Sequence, residues 1–458
     1  MKERITKLLC LTLVFLFVPC FAQAFQEITI TEEVKESIKE RIEKGESVGI
    51  VVGIIDSQGR REFFSFGKTR IKGKRSVDEY SIYEIGSISK VFTCIAFADM
   101  LVNRELNLDD PIEKFLPGGV KIPSRNGMKI TLKHLATHTS ALPRMPFNLR
   151  PTDPSNPYAD FTVKEMYDCL SGIKLKRDIG EKYEYSNLGM GFMGHIISRV
   201  AGMSYEQLII KRICNVLGMN STTITLTPEL KKRLAKGHNT KGEVSNWDLP
   251  TLAGAGALRS SADDMITFIA ANMGLRKSKL TPAMDMSHEA RVDASKNMKV
   301  ALGWHISNNG KTQITWHNGG TGGYRTFCGF IKDKKIGAVV LSNMNIGADD
   351  IGYHLLDNSY KLKKIKEEIA LEPEVLEKYV GEYRLSEPAM KLTVTRDGNK
   401  LSMDFEGQGK VQILPESETQ FFMKEADIQI TFKMDESGKV SGLIVRQGGK
   451  DTEAKKIK

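Results

Sequence analysis

The sequence predicts an α+β domain, an antiparallel sheet flanked by helices with a mainly helical subdomain, followed by a small antiparallel β-barrel or sandwich. Three observations predict it. Strand patterns occur near both ends of residues 25–360, at VGIVVGIID and RREFFSFGKT and again at TQITW, TFCGFIKDK and IGAVVLSNM. Between them, from 87 to about 310, the pattern is mainly helical and loop-rich, so the two ends are expected to complete one sheet. Beyond Pro373 the pattern changes to short runs (YVGEYRLS, MKLTVTRDG, KLSMDFEG, KVQILPES, QFFMKEA, IQITFKMDESG, KVSGLIVRQGG) separated by Gly, Asp and Asn turns.

A length of 458 residues asks for more than one domain, and a 41% hydrophobic composition supplies a sizeable core. The first element is not part of the fold. Lys2, Arg4 and Lys7 precede an apolar run from Leu8 to Pro19 and then Ala22-Gln23-Ala24, the order of a secretory signal cleaved after Ala24. An apolar run of about a dozen residues is too short to span a bilayer. Pro19 stands where a lipid anchor at Cys20 would need a small residue. No later run is long and apolar enough to span, so the mature chain is expected to be exported, periplasmic or secreted, with no stable membrane span. Cys94, Cys169, Cys214 and Cys328 remain; their wide spacing shows no metal-ligand rhythm and reads as buried thiols, with one disulfide left open.

Residues 31–44 have helical spacing behind a Thr start signal, and Ser57-Gln58-Gly59 turns the first hairpin. The stretch KLKKIKEE at 361–368, inside an expected linker of 361–371, reads as a solvated linker helix rather than an anion site, and 372–458 forms the last domain. The net charge of +10 would suit a nucleic-acid binder, but no nucleic-acid-binding module is recognisable and the export signal conflicts with that role. No nucleic-acid partner is expected.

Three motifs carry chemistry. Ser-x-x-Lys occurs at Ser65-Lys68, Ser87-Lys90 and Ser171-Lys174. Ser65 lies in a strand pattern, where i and i+3 point to opposite faces, and Ser171 meets Gly172 at a helix end. Only Ser87 opens a long helical run, SISKVFTCIAFADMLVNREL, with Gly86 before it, so its hydroxyl and the Lys90 amine share one face. Burial and the helix dipole both disfavour the charged amine, which can then act as base for the serine. By itself the motif reads first as a capping serine followed by an exposed lysine. The second motif is Tyr185-Ser186-Asn187, placed before the helical run LGMGFMGHIISRVAG; a phenol beside the Ser–Lys pair could relay a proton, and a tyrosine in a turn is the plain alternative. The third is His317-Asn318-Gly319-Gly320-Thr321-Gly322-Gly323 directly after the strand TQITW, either a backbone that approaches a ligand closely or a glycine-rich β-turn.

Other patterns do not survive their context. Gly45-Glu46-Ser47-Val48-Gly49 joins a helix to a strand, the reverse of an esterase elbow. Gly67-Lys68-Thr69 lacks the first glycine of a phosphate loop, which is Glu62. His134 and His138 have no third ligand in view and read as structural; no metal or other cofactor is expected.

Taken together, EIGSISKVFT, HLATHTSALP, YEYSNLGMGFMGHIISRVAG, NVLGMNSTT, AGALRSSADDM and HNGGTGGY resemble, in order, the blocks of the serine β-lactamase-like family over roughly residues 30–350. That family groups class C β-lactamases, penicillin-binding D-Ala-D-Ala peptidases, D-amino-acid peptidases and related esterases. The resemblance implies a β-lactamase/transpeptidase-like fold and a serine hydrolase domain over 25–360. In it Ser87 is acylated, Lys90 is its basic partner, Tyr185 is the catalytic tyrosine, either Lys90 or Tyr185 takes the Ser87 proton, and Asn187 contacts Lys90 and substrate. The backbone N–H groups of Ser87 and Gly320 would form the oxyanion hole, with Gly319 beside them. His317 falls where β-lactamases usually carry a lysine, a departure that looks more like the peptidase and esterase members. Residues 372–458 resemble the lipocalin-like barrel of some of these peptidases, which shapes access to the site or mediates assembly, so a homo-oligomer through the barrel is left open. The expected activity is cleavage of D-amino-acid peptide or β-lactam amides, with a carboxylesterase or a slowly deacylating penicillin sensor or scaffold as alternatives.

Overall fold

The computed structural model describes residues 28–386, 390–406, 409–423, 428–447 and 450–458. The expected signal at 1–24 lies outside the described residues. Helix α1 (Glu32–Glu43) is capped by Thr31, whose side chain accepts from Val34 N. Strands β1 (Gly49–Ile55) and β2 (Arg61–Gly67) form the first hairpin. With α1, four further α-helices flank the sheet or frame the site: α2 (Ser89–Val102), α3 (Asn187–Ala201), α4 (Ala262–Asn272) and α5 (Asp349–Leu356). The remaining strands of the main sheet are β3 (Val292–Ser295), β4 (Met298–Val300), β5 (His305–Asn308), β6 (Gln313–Gly320), β7 (Arg325–Ile331) and β8 (Ile336–Ser342).

These eight strands make one antiparallel sheet in the order β2-β1-β8-β7-β6-β5-β4-β3. Its seam is the pairing of β1 with β8, Ile50 opposite Ser342 through Ile55 opposite Gly337, which joins chain segments nearly three hundred residues apart. The sheet therefore closes from the two ends, as the strand pattern implied. Strand structure returns earlier than the pattern suggested, however, at Val292 rather than after 310, because the short strands β3 to β5 are too polar to read as a buried run.

Alternation along β1 and β8 sends side chains into two cores. Val51, Val339 and Leu341 face the helical side with α2 and α4, while Ile50, Val52, Ala338 and Val340 pack against Val34 and Ile38 of α1 and Ile351 and Leu355 of α5. Helix α2 lies within the first core for all but its last two residues. Every residue from Ser89 to Met100 is buried, not one face only, and Phe92 stacks on Phe268 of α4 at 4.1 Å. A helix buried all round is a rigid central post.

The chain then leaves the domain through 357–372. The sequence suggested a helix at 361–368; that stretch has no regular secondary structure. Lys363 N donates to Asp350 Oδ2, Arg41 donates to Asp350 and to the Lys363 carbonyl, and Ile369 N donates to the Pro415 carbonyl. Within it the Lys363 N–H and carbonyl are taken by Asp350 and Arg41, Ile369 just beyond is tied to Pro415, and like-charged lysines would oppose a helix.

Helix α6 (Pro373–Glu377) precedes a closed eight-stranded barrel: β9 (Gly381–Leu385), β10 (Met390–Asp397), β11 (Lys400–Phe405), β12 (Gly409–Pro415), β13 (Gln420–Phe422), β14 (Ile428–Met434), β15 (Val440–Gln447) and β16 (Lys450–Lys456). Barrel rather than sandwich is settled by β16, unread in the sequence, which pairs with both β15 and β9. DTEAKKIK is too polar to announce a strand; ladder hydrogen bonds on both sides make it one. The interior is filled by side chains, with Tyr379, Phe421 and Phe432 in mutual ring contact and Tyr383 O–H donated to the Tyr379 carbonyl. The four cysteines among the described residues, Cys94, Cys169, Cys214 and Cys328, are buried free thiols.

Candidate active site

The site lies where the start of α2 meets the far end of β6. A short 3₁₀ turn, Gly86–Ile88, leads into α2, so Ser87 sits just ahead of the helix rather than capping it. Gly86 has φ +50°, and a Cβ there would fall 2.7 Å from Gly320 N, so only glycine lets the turn approach β6 this closely. Gly319 has a packing requirement of its own, since a Cβ would stand 2.0 Å from the Ile85 carbonyl oxygen. The sequence suggested a strand ending at Trp316 and a glycine-rich segment after it. Instead β6 runs on through His317 to Gly320, and the turn is Thr321–Tyr324. On one side β6 pairs with β7 through Gly320, while on the other β5 reaches only Trp316. The edge from His317 to Gly320 therefore has no strand neighbour on that side, where the Ser87 turn lies.

Lys90 Nζ lies 2.9 Å from Ser87 Oγ and donates to the Ala255 carbonyl at 2.5 Å. The side chain is fully buried, and burial, aided by the nearby Arg144 charge, drives its pKa well below the ordinary lysine value. A neutral amine in this position has one N–H for Ala255 and a lone pair for the Ser87 hydroxyl. Ala255 belongs to the small-residue helix Ala253–Gly256, and Gly254 packs so tightly on α3 that a Cβ would come 2.8 Å from Gly194 Cα. The run AGAG is the sequence signal for this lysine holder, though its chemistry resides in a backbone oxygen and no side-chain motif marks it.

Tyr185 precedes α3, whose N-cap Ser186 accepts from Gly189 N. Its ring centroid is 4.9 Å from Lys90 Nζ. Burial raises the phenol above its ordinary range, so it stays protonated at neutral pH. Asn187 lines the cavity, but its amide donates to Met145 Sδ at 3.4 Å, and Lys90 is held by Ala255 instead. The expected Asn187–Lys90 contact is absent because the backbone carbonyl occupies that role.

His317 is 1% exposed and stacks on His305 with ring centroids 4.9 Å apart. Its Nδ1–H donates to the Asn318 carbonyl at 2.6 Å, and burial with the neighbouring His305 and Lys90 holds it well below the usual histidine range. It is a neutral imidazole beneath the site. His305, which no sequence motif marks, belongs to the same cluster; its Nε2 lies 3.1 Å from Tyr183 Oη, and burial lowers its pKa to about 4. His138 stacks on Tyr185 at 4.5 Å while its Nδ1 accepts from Ser186 N, a structural role at a residue with φ +57°. His134 bonds to Thr131 and caps its own short helix. Among the described residues, no group of His, Cys, Asp or Glu side chains is arranged to hold a metal ion.

The cavity over Ser87 is walled by Tyr158, Trp247, Leu249 and Leu252, with Asn187, Gly320 and Thr321 around it. Tyr158 and Trp247 meet edge to face at 5.2 Å. The sequence does not announce this apolar wall, because it comes from loops with no periodic pattern.

Sheet, central helix and Ser–Lys pair together define a hydrolase fold class. A class C β-lactamase structure from Rhodobacter sphaeroides superposes with a TM-score of 0.63 at 23% identity, over 72% of this chain and 100% of its own. The chain belongs to the beta-lactamase family, whose model matches residues 34–357, and residues 366–456 match a domain of unknown function, DUF3471. The D-alanyl-D-alanine-carboxypeptidase/endopeptidase AmpH of Escherichia coli (strain K12) is 29% identical over 343 residues, 68% of this chain and 86% of AmpH. Penicillin-binding protein 4* of Bacillus subtilis (strain 168) is 26% identical over 427 residues, 84% of this chain and 90% of that protein.

Gly86→Ala tests the close approach of the turn to β6. A left-handed alanine and the contact with Gly320 N together push Ser87 out of line, and kcat/KM is expected to fall about a hundredfold with the circular dichroism unchanged. Activity within about threefold of wild type would show that the close approach is not needed.

Proposed function

We propose that this chain is an exported serine hydrolase that forms an acyl-enzyme on Ser87 and cleaves amide bonds of D-amino-acid peptide or β-lactam type. One observation carries the reading: a buried lysine, driven towards its neutral form, lies 2.9 Å from a serine hydroxyl at the floor of a cavity. The names of the relatives support the substrate class, and the residue pattern of 1–24 supports export to the periplasm or medium. The division into 25–360, 361–371 and 372–458 belongs to the same proposal.

In this reading Lys90 takes the Ser87 proton as Oγ attacks the substrate carbonyl. The developing oxyanion falls between the N–H groups of Ser87 and Gly320. Tyr185, kept as a phenol by its burial, passes its proton to the leaving nitrogen and regains one from Lys90. Asn187 and the open edge of β6 align the substrate backbone. His317 supplies no charge, so it cannot replace the permanent cation of a lysine at that position. Water then cleaves the ester and returns the proton to Ser87.

Ser87→Ala is expected to lower hydrolysis at least about a thousandfold with an unchanged circular dichroism spectrum. Retained turnover would sink the mechanism. Lys90→Met is expected to be inactive yet no less stable than wild type at pH 7. The sign follows from the depressed pKa: between the folded value and the ordinary 10.5 the unfolded chain binds the extra proton, so wild-type stability is reduced there and recovers as pH rises through that window. The stability advantage of Lys90→Met should shrink towards pH 10.5, as read by thermal unfolding across pH. An advantage that grows with pH would contradict a lysine held neutral in the folded state.

A further inference from the structure

Two short segments outside the catalytic cavity carry most of the chain's net charge. Residues 68–80 and 228–241 together hold ten Lys and Arg against three carboxylates, Asp78, Glu79 and Glu229, a net +7 where the whole chain has +10. The fold sets them side by side. Residues 68–76 form a tight loop after β2, in which Thr69 N donates to the Arg75 carbonyl at 3.0 Å and Gly73 N to the Arg70 carbonyl at 2.9 Å. Lys236 N donates to the Thr69 carbonyl at 2.7 Å, Arg75 donates to the Lys232 and Leu234 carbonyls, and Arg233 donates to the Tyr80 carbonyl. The buried His238 accepts from Ile71 N at 3.2 Å and donates from Nδ1 to the Asn343 carbonyl at 3.0 Å.

The backbone of the patch is therefore fixed, while its lysine heads are left to solvent. Lys72, Lys74, Lys231, Lys232 and Lys241 are all exposed. Among the described residues of the patch, the one ion pair joins Arg70 to Glu243 at 2.8 Å. Like charges gathered this way repel one another, and a polyanionic surface relieves that repulsion. Two apolar side chains stand within the same field of charge. Ile71, at the turn of the loop, is 48% exposed, and Tyr80 is 52% exposed with its ring centroid 6.0 Å from the Arg233 guanidinium carbon. A soluble polyanion would need cations only. A bilayer of anionic lipids presents phosphates to the lysines and an apolar boundary to an exposed isoleucine and an amphipathic tyrosine ring.

We propose that this face docks the enzyme on an anionic lipid surface, with the lysines on lipid phosphates and Ile71 and Tyr80 at the headgroup boundary. Among the described residues no helix is long and apolar enough to cross a membrane, so the contact is a peripheral one. The face adjoins the catalytic cavity. Lys231 and Lys236 line a groove with Asn246 and Asp248, the two neighbours in sequence of Trp247 in the cavity wall. His238 N also donates to the Gly323 carbonyl at 3.1 Å, in the turn that follows β6. The proposal is independent of the chemistry at Ser87 and adds to it the surface beside which that chemistry takes place.

The test is cosedimentation of the mature chain with vesicles of phosphatidylcholine, alone or with an equal part of phosphatidylglycerol, with polyphosphate binding measured in parallel. Wild type should bind the phosphatidylglycerol vesicles, ignore pure phosphatidylcholine, and dissociate as salt is raised. Lys72→Glu with Lys74→Glu should lower the partition coefficient at least about twentyfold, at roughly fivefold for each lost cation, with the circular dichroism unchanged. Lys296→Glu with Lys299→Glu, in the β3–β4 hairpin at the opposite edge of the sheet from β2, should lower it less than about threefold. Ile71→Ser should weaken vesicle binding about fivefold and leave polyphosphate binding unchanged. Equal losses from the two double substitutions would mean that net charge alone drives binding and would overturn the proposal, as would a wild type that does not distinguish the two kinds of vesicle. Vesicle binding unaffected by Ile71→Ser, with polyphosphate bound as tightly as vesicles, would make this a site for soluble polyanions and overturn the lipid assignment.

Discussion

A lysine amine held in a dry interior beside a serine hydroxyl is the constraint around which this domain is arranged. Burying an ammonium is costly, so the amine is pressed towards its neutral form and needs a partner for its N–H. The Ala255 carbonyl provides that partner, and several features bring it there. Helix α2 is buried on every side, the small-residue helix Ala253–Gly256 nestles against it and α3, and Phe92 locks α2 onto α4. Loosening any of these contacts would admit water and recharge Lys90, which the proposed mechanism uses as the base. Stability and activity therefore oppose each other at this residue.

The sheet performs a second task, which is to bring distant pieces of chain to one place. Pairing β1 with β8 closes the domain across its full length, and β6 then runs past its neighbour β5 and leaves an open edge beside Ser87. Two glycines, Gly86 and Gly319, allow that edge and the Ser87 turn to approach without side chains between them. The three clustered histidines and the Tyr185 ring fill the space below. They form a packed, neutral floor.

Much of this architecture was legible in the sequence, for identifiable reasons. The hairpin, the central helix and the Ser87–Lys90 pair are local patterns in which spacing determines geometry. The seam between β1 and β8 could be inferred because strands at both ends of a helical middle need partners. The features that were not legible depend on contacts between distant residues. The lysine holder is a backbone oxygen, the apolar walls Trp247 and Leu249 sit in irregular loops, and β16 is a polar segment made into a strand by its neighbours. The anticipated linker helix failed because tertiary hydrogen bonds from Asp350 and Pro415 took its backbone groups. Asn187 was assigned a contact with Lys90 that Ala255 makes instead.

The most direct test of a neutral Lys90 activating Ser87 is to follow covalent labelling by a penicillin, using intact mass and peptide mapping, on wild type and Lys90→Met in parallel. A single acyl adduct is expected on the peptide that contains Ser87, formed rapidly in wild type and at least about a hundredfold more slowly without the amine. Whether the adduct persists reports only how fast water removes it. An adduct on another residue, or equal labelling rates in the two proteins, would contradict the claim that this buried amine is the base.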